Sequence, residues 1–181
     1  MASQSKVELR RLFRQVRREA MVSAQAGVEA AALNNLPALA REGTWLGLYW
    51  PIGAEPDLRA IAQTVNCALP VVEGEQLLYR PWQRNQPLEP DECGIPAPTA
   101  GNGLEPAELA ALLVPALALD GLGIRLGSGG GWYDRLRGEP QWRAVPALAV
   151  LPSACLSPAL PSDPWDVPFD GWLDERGLHW I

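Results

Sequence analysis

The residues with most capacity for chemistry stand together in "RLGSGGGWYDR", positions 125 to 135. Gly127, Ser128, Gly129, Gly130 and Gly131 lie between Arg125 and Leu126 on one side and Trp132, Tyr133 and Asp134 on the other, with Arg135 closing the run. Glycine costs backbone entropy, so a cluster this dense calls for a use. A strand is expected to end before it and a helix to begin at "WYDRLR". Such a junction offers free N–H groups and a helix dipole to an anion. Glycines let the backbone approach phosphate oxygens closely, and Arg125 and Arg135 can add charge-assisted hydrogen bonds. The plainer alternative is a glycine-rich turn that only joins two elements.

Standard patterns fail by register. GxGxxG from Gly121 meets Leu126 at its last glycine, and from Gly127 it meets Trp132. GxSxG fails because Leu126 stands two places before Ser128. A Walker A loop needs a lysine after its glycines, and the chain's one lysine is Lys6. Neither a dinucleotide fingerprint nor a nucleophile elbow is present. The one histidine, His179, lies near the end of the chain, which excludes a multi-histidine metal site and disfavours Ser-His or Cys-His catalysis.

A second group lies far upstream. Lys6, Arg10, Arg14 and Arg17 recur at steps of four and three, so one helix would carry them on one face. Such a face is commonly just solvated. Fourteen arginines against a single lysine, however, single out Lys6, whose compact ammonium differs from a guanidinium fork.

These groups need elements to hold them. Residues 5 to 21 read as an amphipathic helix capped by Ser5 or Ser3, with Leu9, Leu12, Phe13, Val16 and Ala20 as its buried stripe. A second, alanine-rich helix is expected over 24 to 40, ending near Pro37. "TWLGLYWP" reads as a buried strand and "EPDLRAIAQTV" as a helix start with Pro56 in its first turn. "CALPVV", "LLYRPW", "ALLVPALA" and "RAVPALAVL" are further strands. Residues 83 to 107, with five prolines, read as an excursion over the surface. "FDGWLDERGLHWI" reads as a hairpin turning at Glu175-Arg176-Gly177. Strands alternating with helices predict a three-layer α/β/α fold with a mostly parallel central sheet, one domain over residues 1–181.

Composition bounds the rest. Of 181 residues, 48% are hydrophobic and 20% charged, a globular balance. No apolar run suits a membrane span, and the basic N-terminus lacks the apolar stretch of a secretory signal. Cys67, Cys93 and Cys155 are odd in number and far apart, which indicates neither a disulfide framework nor a zinc site. A reducing, cytoplasmic setting is expected. Net charge is −6, yet residues 6 to 18 carry +5, leaving −11 elsewhere. An acidic body argues against a broad nucleic-acid surface, while one basic helix suits a compact anion such as a nucleotide. No membrane partner is expected, and the protein is expected to be a monomer.

Read whole, "RLGSGGGWYDR" resembles the RLGxGxGYYDR signature of 5-formyltetrahydrofolate cyclo-ligases, departing only at Trp132. "KVELR" at 6 to 10 is similar to that family's KxxLR. "LYWPIGAEPDL" is similar to its strand and Glu-containing loop. "CGIPAPT" resembles GIPEP with Ala97 in place of an acid, and "LVPALALDGLGIRLG" resembles VPGLAFDxxGxRLG with Ala116 in place of glycine. "PWDVPFDGW" resembles an HDxPLD-type segment. The resemblance runs in order over residues 6 to 173.

The resemblance implies ATP- and Mg²⁺-dependent closure of 5-formyltetrahydrofolate to 5,10-methenyltetrahydrofolate, with ADP and phosphate released and a phosphorylated imidate between. Phosphoryl transfer of this kind is mostly positioning and charge neutralisation, and needs no enzyme nucleophile. By the same resemblance, Lys6 and Arg125 are catalytic, and ATP is held by Lys6, Val7, Glu8, Leu9, Arg10 and residues 125 to 133. Trp50, Glu55 and Tyr133 meet the folate, and Asp134 and Asp170 bind Mg²⁺. Asp163, Asp166 and Asp174 rival Asp170. Ser153 stands where the family often has glutamine. The alternative is a non-catalytic nucleotide- or folate-binding protein on the same fold.

Overall fold

The structure, a computed structural model, describes residues 5–181. Ser3, one of the two candidate caps, lies outside the described residues. Ser5 takes the role: its side chain accepts from the Glu8 N–H, and Glu8 reaches back to the Ser5 N–H, closing a capping box.

That cap opens α1, Lys6–Asn35, which is one helix of 30 residues rather than two. Nothing between positions 21 and 24 breaks a helix, and it runs on to a 3-10 turn at Leu36–Ala38 that holds Pro37. Its buried stripe also differs from expectation. Leu9, Phe13, Arg17, Met21, Ala24 and Val28 face inward, whereas Leu12 is exposed and Val16 and Ala20 are half-buried. The stride of four from Leu9 lands on a cation at Arg17 and resumes at Met21.

The strands are β1 (Trp45–Gly47), β2 (Cys67–Glu73), β3 (Gln76–Trp82), β4 (Leu88–Pro90), β5 (Pro96–Pro98), β6 (Leu109–Pro115), β7 (Ala118–Asp120), β8 (Arg125–Leu126), β9 (Ala147–Val150), β10 (Leu156–Ser157), β11 (Gly171–Asp174) and β12 (Gly177–Trp180). The main sheet has seven strands in the order β12-β11-β9-β6-β1-β2-β3. Its five inner strands are parallel, and β3 and β12 join antiparallel at the edges. Burial on both faces explains why β6 and β9 read as unbroken apolar runs.

Two further helices, α2 (Trp132–Gly138) and α3 (Pro140–Arg143), contribute Leu136 and Trp142 to the core on one face of the sheet. The second half of α1 supplies Val28, Ala31 and Ala32 to the core on the other face. This is the α/β/α layering with a mostly parallel sheet expected from the sequence.

Several local expectations are revised. "EPDLRAIAQTV" forms only a 3-10 turn, Arg59–Gln63. "ALLVPALALD" splits after Pro115: β6 stays in the main sheet, while β7 turns into a small sheet with β8 and β10. The proline-rich excursion contains the ribbon β4–β5, whose turn is organised by Asp91 accepting from the Cys93 and Ile95 N–H groups. The C-terminal hairpin forms as expected, turning between Asp174 and Gly177. His179 sits in it, bonded to Asp174 and stacked on Trp172. All three cysteines are unpaired, and no described helix is long and apolar enough to cross a membrane.

Candidate active site

The inner strands end toward a cavity of about 540 Å³, where open α/β sheets bind ligands. Four pieces of chain, distant in sequence, supply its polar groups, with Pro70, Ile95 and Pro115 between them. The first is one face of α1: Lys6, Arg10, Arg14 and Arg17. The second follows β1 and carries Tyr49, Trp50 and Glu55. The third is β8 with the glycine loop and the start of α2, from Arg125 to Asp134. The fourth, unexpected, is the stretch holding Asp163, Trp165 and Asp166.

The glycine loop is tied to α1 through its carbonyls. Arg10 Nε donates to the Gly127 carbonyl at 3.0 Å, and Arg14 donates to that of Ser128 at 3.3 Å. A planar trans peptide points its N–H opposite its C=O, so the N–H groups of Ser128 and Gly129 face away from these arginines. Among the described residues those two groups donate no hydrogen bond. Gly129 at φ +116° and Gly131 at φ +69° hold the loop in a shape that residues with a Cβ rarely adopt.

Arg125 is almost fully buried under the loop, donating to the Pro115 carbonyl at 2.9 Å and facing Asp134 at 3.7 Å. Arg135 does not reach in. It donates to the Gly130 carbonyl and lies over the Trp132 ring, 4.4 Å from its centroid. Trp132, the departure from the family pattern, therefore packs beneath Arg135 while also lining the cavity.

Lys6 reaches across the mouth. Its Nζ donates to Asp163 at 2.6 Å and Asp166 at 2.9 Å. Partial burial lowers the ammonium's pKa, but the two carboxylates outweigh it and hold the group above the ordinary lysine value.

At the opposite end, Glu55 Oε2 accepts from the Ile52 N–H at 3.0 Å, and its Oε1 faces Arg17 at 3.9 Å. Burial pushes the Glu55 carboxyl above the usual carboxylate range, opposed by that N–H, Arg17 and Arg125. Trp50 lies edge-on to Trp82 and has Arg59 4.3 Å over its ring, with Arg59 held in turn by Asp57.

Not every expected residue arrives. Val7, Glu8 and Leu9 share the N-terminal motif with Lys6 and Arg10, but helical rotation sends them elsewhere. Val7 is exposed, Glu8 is occupied by the cap, and Leu9 is in the core. Asp170 also stays away from the cavity: its carboxylate accepts from the Ala147 N–H at 2.8 Å and faces buried Arg137 at 3.6 Å, tying strand ends together. Ser153 points away too, bonding Glu175 through its N–H and hydroxyl.

Among the described residues, no three His, Cys, Asp or Glu side chains gather as a metal cage. Asp134 alone offers a carboxylate at the edge of the loop. That donor set suits a divalent ion whose remaining ligands are phosphate oxygens and water.

Residue types alone do not pair Asp163 and Asp166 with Lys6 or place Arg17 in a buried wall. A signal for Arg17 existed, since it interrupts the apolar stride of α1. "DPWD" carried none, because its partner lies 157 residues away.

The profile of the 5-formyltetrahydrofolate cyclo-ligase family matches residues 2–174. The 5-formyltetrahydrofolate cyclo-ligase of Mycolicibacterium smegmatis is 31% identical over 185 residues, covering 92% of each chain. That of Haemophilus influenzae is 28% identical over 182 residues, covering 93% of this chain and 96% of its own. Among solved structures, Aquifex aeolicus 5,10-methenyltetrahydrofolate synthetase superposes with a TM-score of 0.73 at 27% identity, covering 97% of this chain and 92% of its own.

Proposed function

This chain belongs to the 5-formyltetrahydrofolate cyclo-ligase family, and from that premise we propose that it closes 5-formyltetrahydrofolate to 5,10-methenyltetrahydrofolate at the expense of ATP. One observation carries the reading. The α1 cations, the glycine loop and the Trp50–Glu55 segment face a single cavity, with the phosphate-seeking groups at one end and an aromatic–carboxylate pair at the other.

ATP is seated with its phosphates on the free N–H groups of the loop, with Arg125 beneath, while Arg10 and Arg14 hold the loop from its carbonyl side. Lys6 exchanges its carboxylate partners for phosphate oxygens, staying charged as it does so. Magnesium, when bound, neutralises charge on the transferring phosphates, and Asp134 is the residue that would hold it. Trp50 offers a face to the pterin and Glu55 Oε1 an acceptor for its N–H groups.

The formyl oxygen then bonds to the γ-phosphorus as the bond to the β-phosphate oxygen breaks, releasing ADP. N10 bonds to the formyl carbon and loses its proton, and the C–O bond breaks with phosphate departing. The protein supplies positioning and fixed positive charge, with no nucleophile of its own.

The test is direct. Protein, ATP, Mg²⁺ and 5-formyltetrahydrofolate are mixed, and the methenyl chromophore is followed by absorbance. Steady formation is expected, with Asp134→Asn slower by on the order of 10²-fold and unchanged in its circular dichroism. Stoichiometric binding of either ligand without product overturns catalysis and leaves a binding protein. Full activity of Asp134→Asn removes the metal role.

A further inference from the structure

Arg17 is a costly side chain on the cavity wall. It occupies a core position in the stripe Leu9–Phe13–Arg17–Met21 and is 7% exposed. Its hydrogen bonding is poor for such burial. One N–H donates to the Ala116 carbonyl at 3.2 Å, and its Nε has no partner among the described residues. A buried guanidinium satisfied this thinly costs stability, and an apolar residue there would pack without that cost. Its place is accounted for by what it faces.

That group is Glu55, whose side chain is 10% exposed. The two are 3.9 Å apart, within ion-pair range and beyond hydrogen-bond range. Oε2 is taken by the Ile52 N–H, and Oε1 accepts no hydrogen bond among the described residues. Arg17 is anchored to a backbone carbonyl of the segment after β6, so its charge is fixed in place. The other groups bearing on Glu55 are Arg125 from β8, Tyr49 after β1 and Tyr133 from α2. Arg125 is committed to Pro115 and Asp134, and the two tyrosines are neutral.

We infer that Arg17 is a positioning residue for the folate end of the cavity: it keeps the Glu55 carboxylate charged and leaves Oε1 open to accept from the N–H donors of the pterin. Arg17 thereby acts through Glu55 and not on the phosphates, although it shares a helix face with Lys6, Arg10 and Arg14. This rests on the folate reading of the cavity given above. Burial opposes ionisation of Glu55, and the Ile52 N–H, Arg17 and Arg125 favour it.

The experiment compares wild type with Arg17→Met and Arg17→Lys. Binding of 5-formyltetrahydrofolate alone is measured by calorimetry across pH, and KM for folate and for ATP is measured by turnover. Arg17→Met is expected to weaken folate binding about tenfold at pH 7 and to move the acid limb of binding up by about one pH unit. KM for ATP stays within about twofold, and Arg17→Lys recovers most of the affinity. A merely structural role would lower the melting temperature and leave the acid limb in place, and that result overturns the inference. So does a parallel rise in KM for ATP. Should Arg17→Met fail to fold, Arg17→Gln takes its place with the same expectations, and an unshifted acid limb or weakened ATP use in that variant overturns the inference. A wild-type chain that binds folate without turnover overturns the proposed catalysis and leaves the Arg17 comparison standing. One that binds no folate overturns both.

Discussion

Glu55 carries a charge that the fold resists. Burial raises its pKa in the folded protein, so the native state holds a proton on Glu55 to higher pH than the unfolded chain does. The folded state therefore binds more protons between the ordinary glutamate value of 4.5 and the raised one. Stability then falls as pH rises through that window. Glu55→Gln is expected to gain melting temperature relative to wild type as pH climbs from about 4 to 8, while losing folate affinity at neutral pH. Parallel melting curves for the two proteins across that range refute it. Such a residue is the kind a binding site retains at the expense of stability. Its place on the cavity wall agrees with the loop motif, which sets a carboxylate close to Trp50. Arg17 was not read as its partner, since residue types 38 positions apart carry no trace of a shared wall. Asp170 was misplaced for a related reason: the tail holds several aspartates, and only the folded positions show that Asp163 and Asp166 meet Lys6 while Asp170 braces β9.

Among the elements, the glycine loop keeps its shape because α1 holds its carbonyls and its glycines hold its turn. Gly131, at φ +69°, immediately precedes α2, and a Cβ there would come 3.0 Å from Arg135. Gly131→Ala is expected to cost about 1–3 kcal/mol in denaturant unfolding, with a larger loss in ATP use than in folate binding. An unchanged unfolding midpoint would show that the loop adapts freely. The parallel core was legible because β6 and β9 are apolar throughout. The length of α1 was not, because alanine-rich sequence continues a helix as readily as it starts a new one. Gly27, mid-helix, is explained by packing: a Cβ there would lie 2.8 Å from Glu175 Cβ, so the C-terminal hairpin turn seats directly on the helix. No local pattern predicts a contact of that kind.

Across the whole molecule, both proposed substrates are anions and the body of the chain is acidic, so their approach depends on one basic helix face. Raising salt from about 0.02 to 0.3 M shortens the screening length from roughly 20 to 6 Å. The kcat/KM for ATP is expected to fall across that range, and Arg14→Glu to lower it about fivefold at low salt and flatten the dependence. Equal salt slopes for the two proteins refute steering by this face. The pairing of Lys6 with Asp163 and Asp166 has a consequence in time. The two sides are 157 residues apart, and α1 also packs on β11 and β12. At about 5–20 residues per second, ribosomal synthesis separates them by roughly 8 to 30 seconds. Throughout that interval the nascent helix carries its apolar stripe and its bare cations with no completed surface to meet. The Lys6 end of the first helix thus gains its carboxylate partners only after most of the chain has been made, and that wall of the cavity closes late.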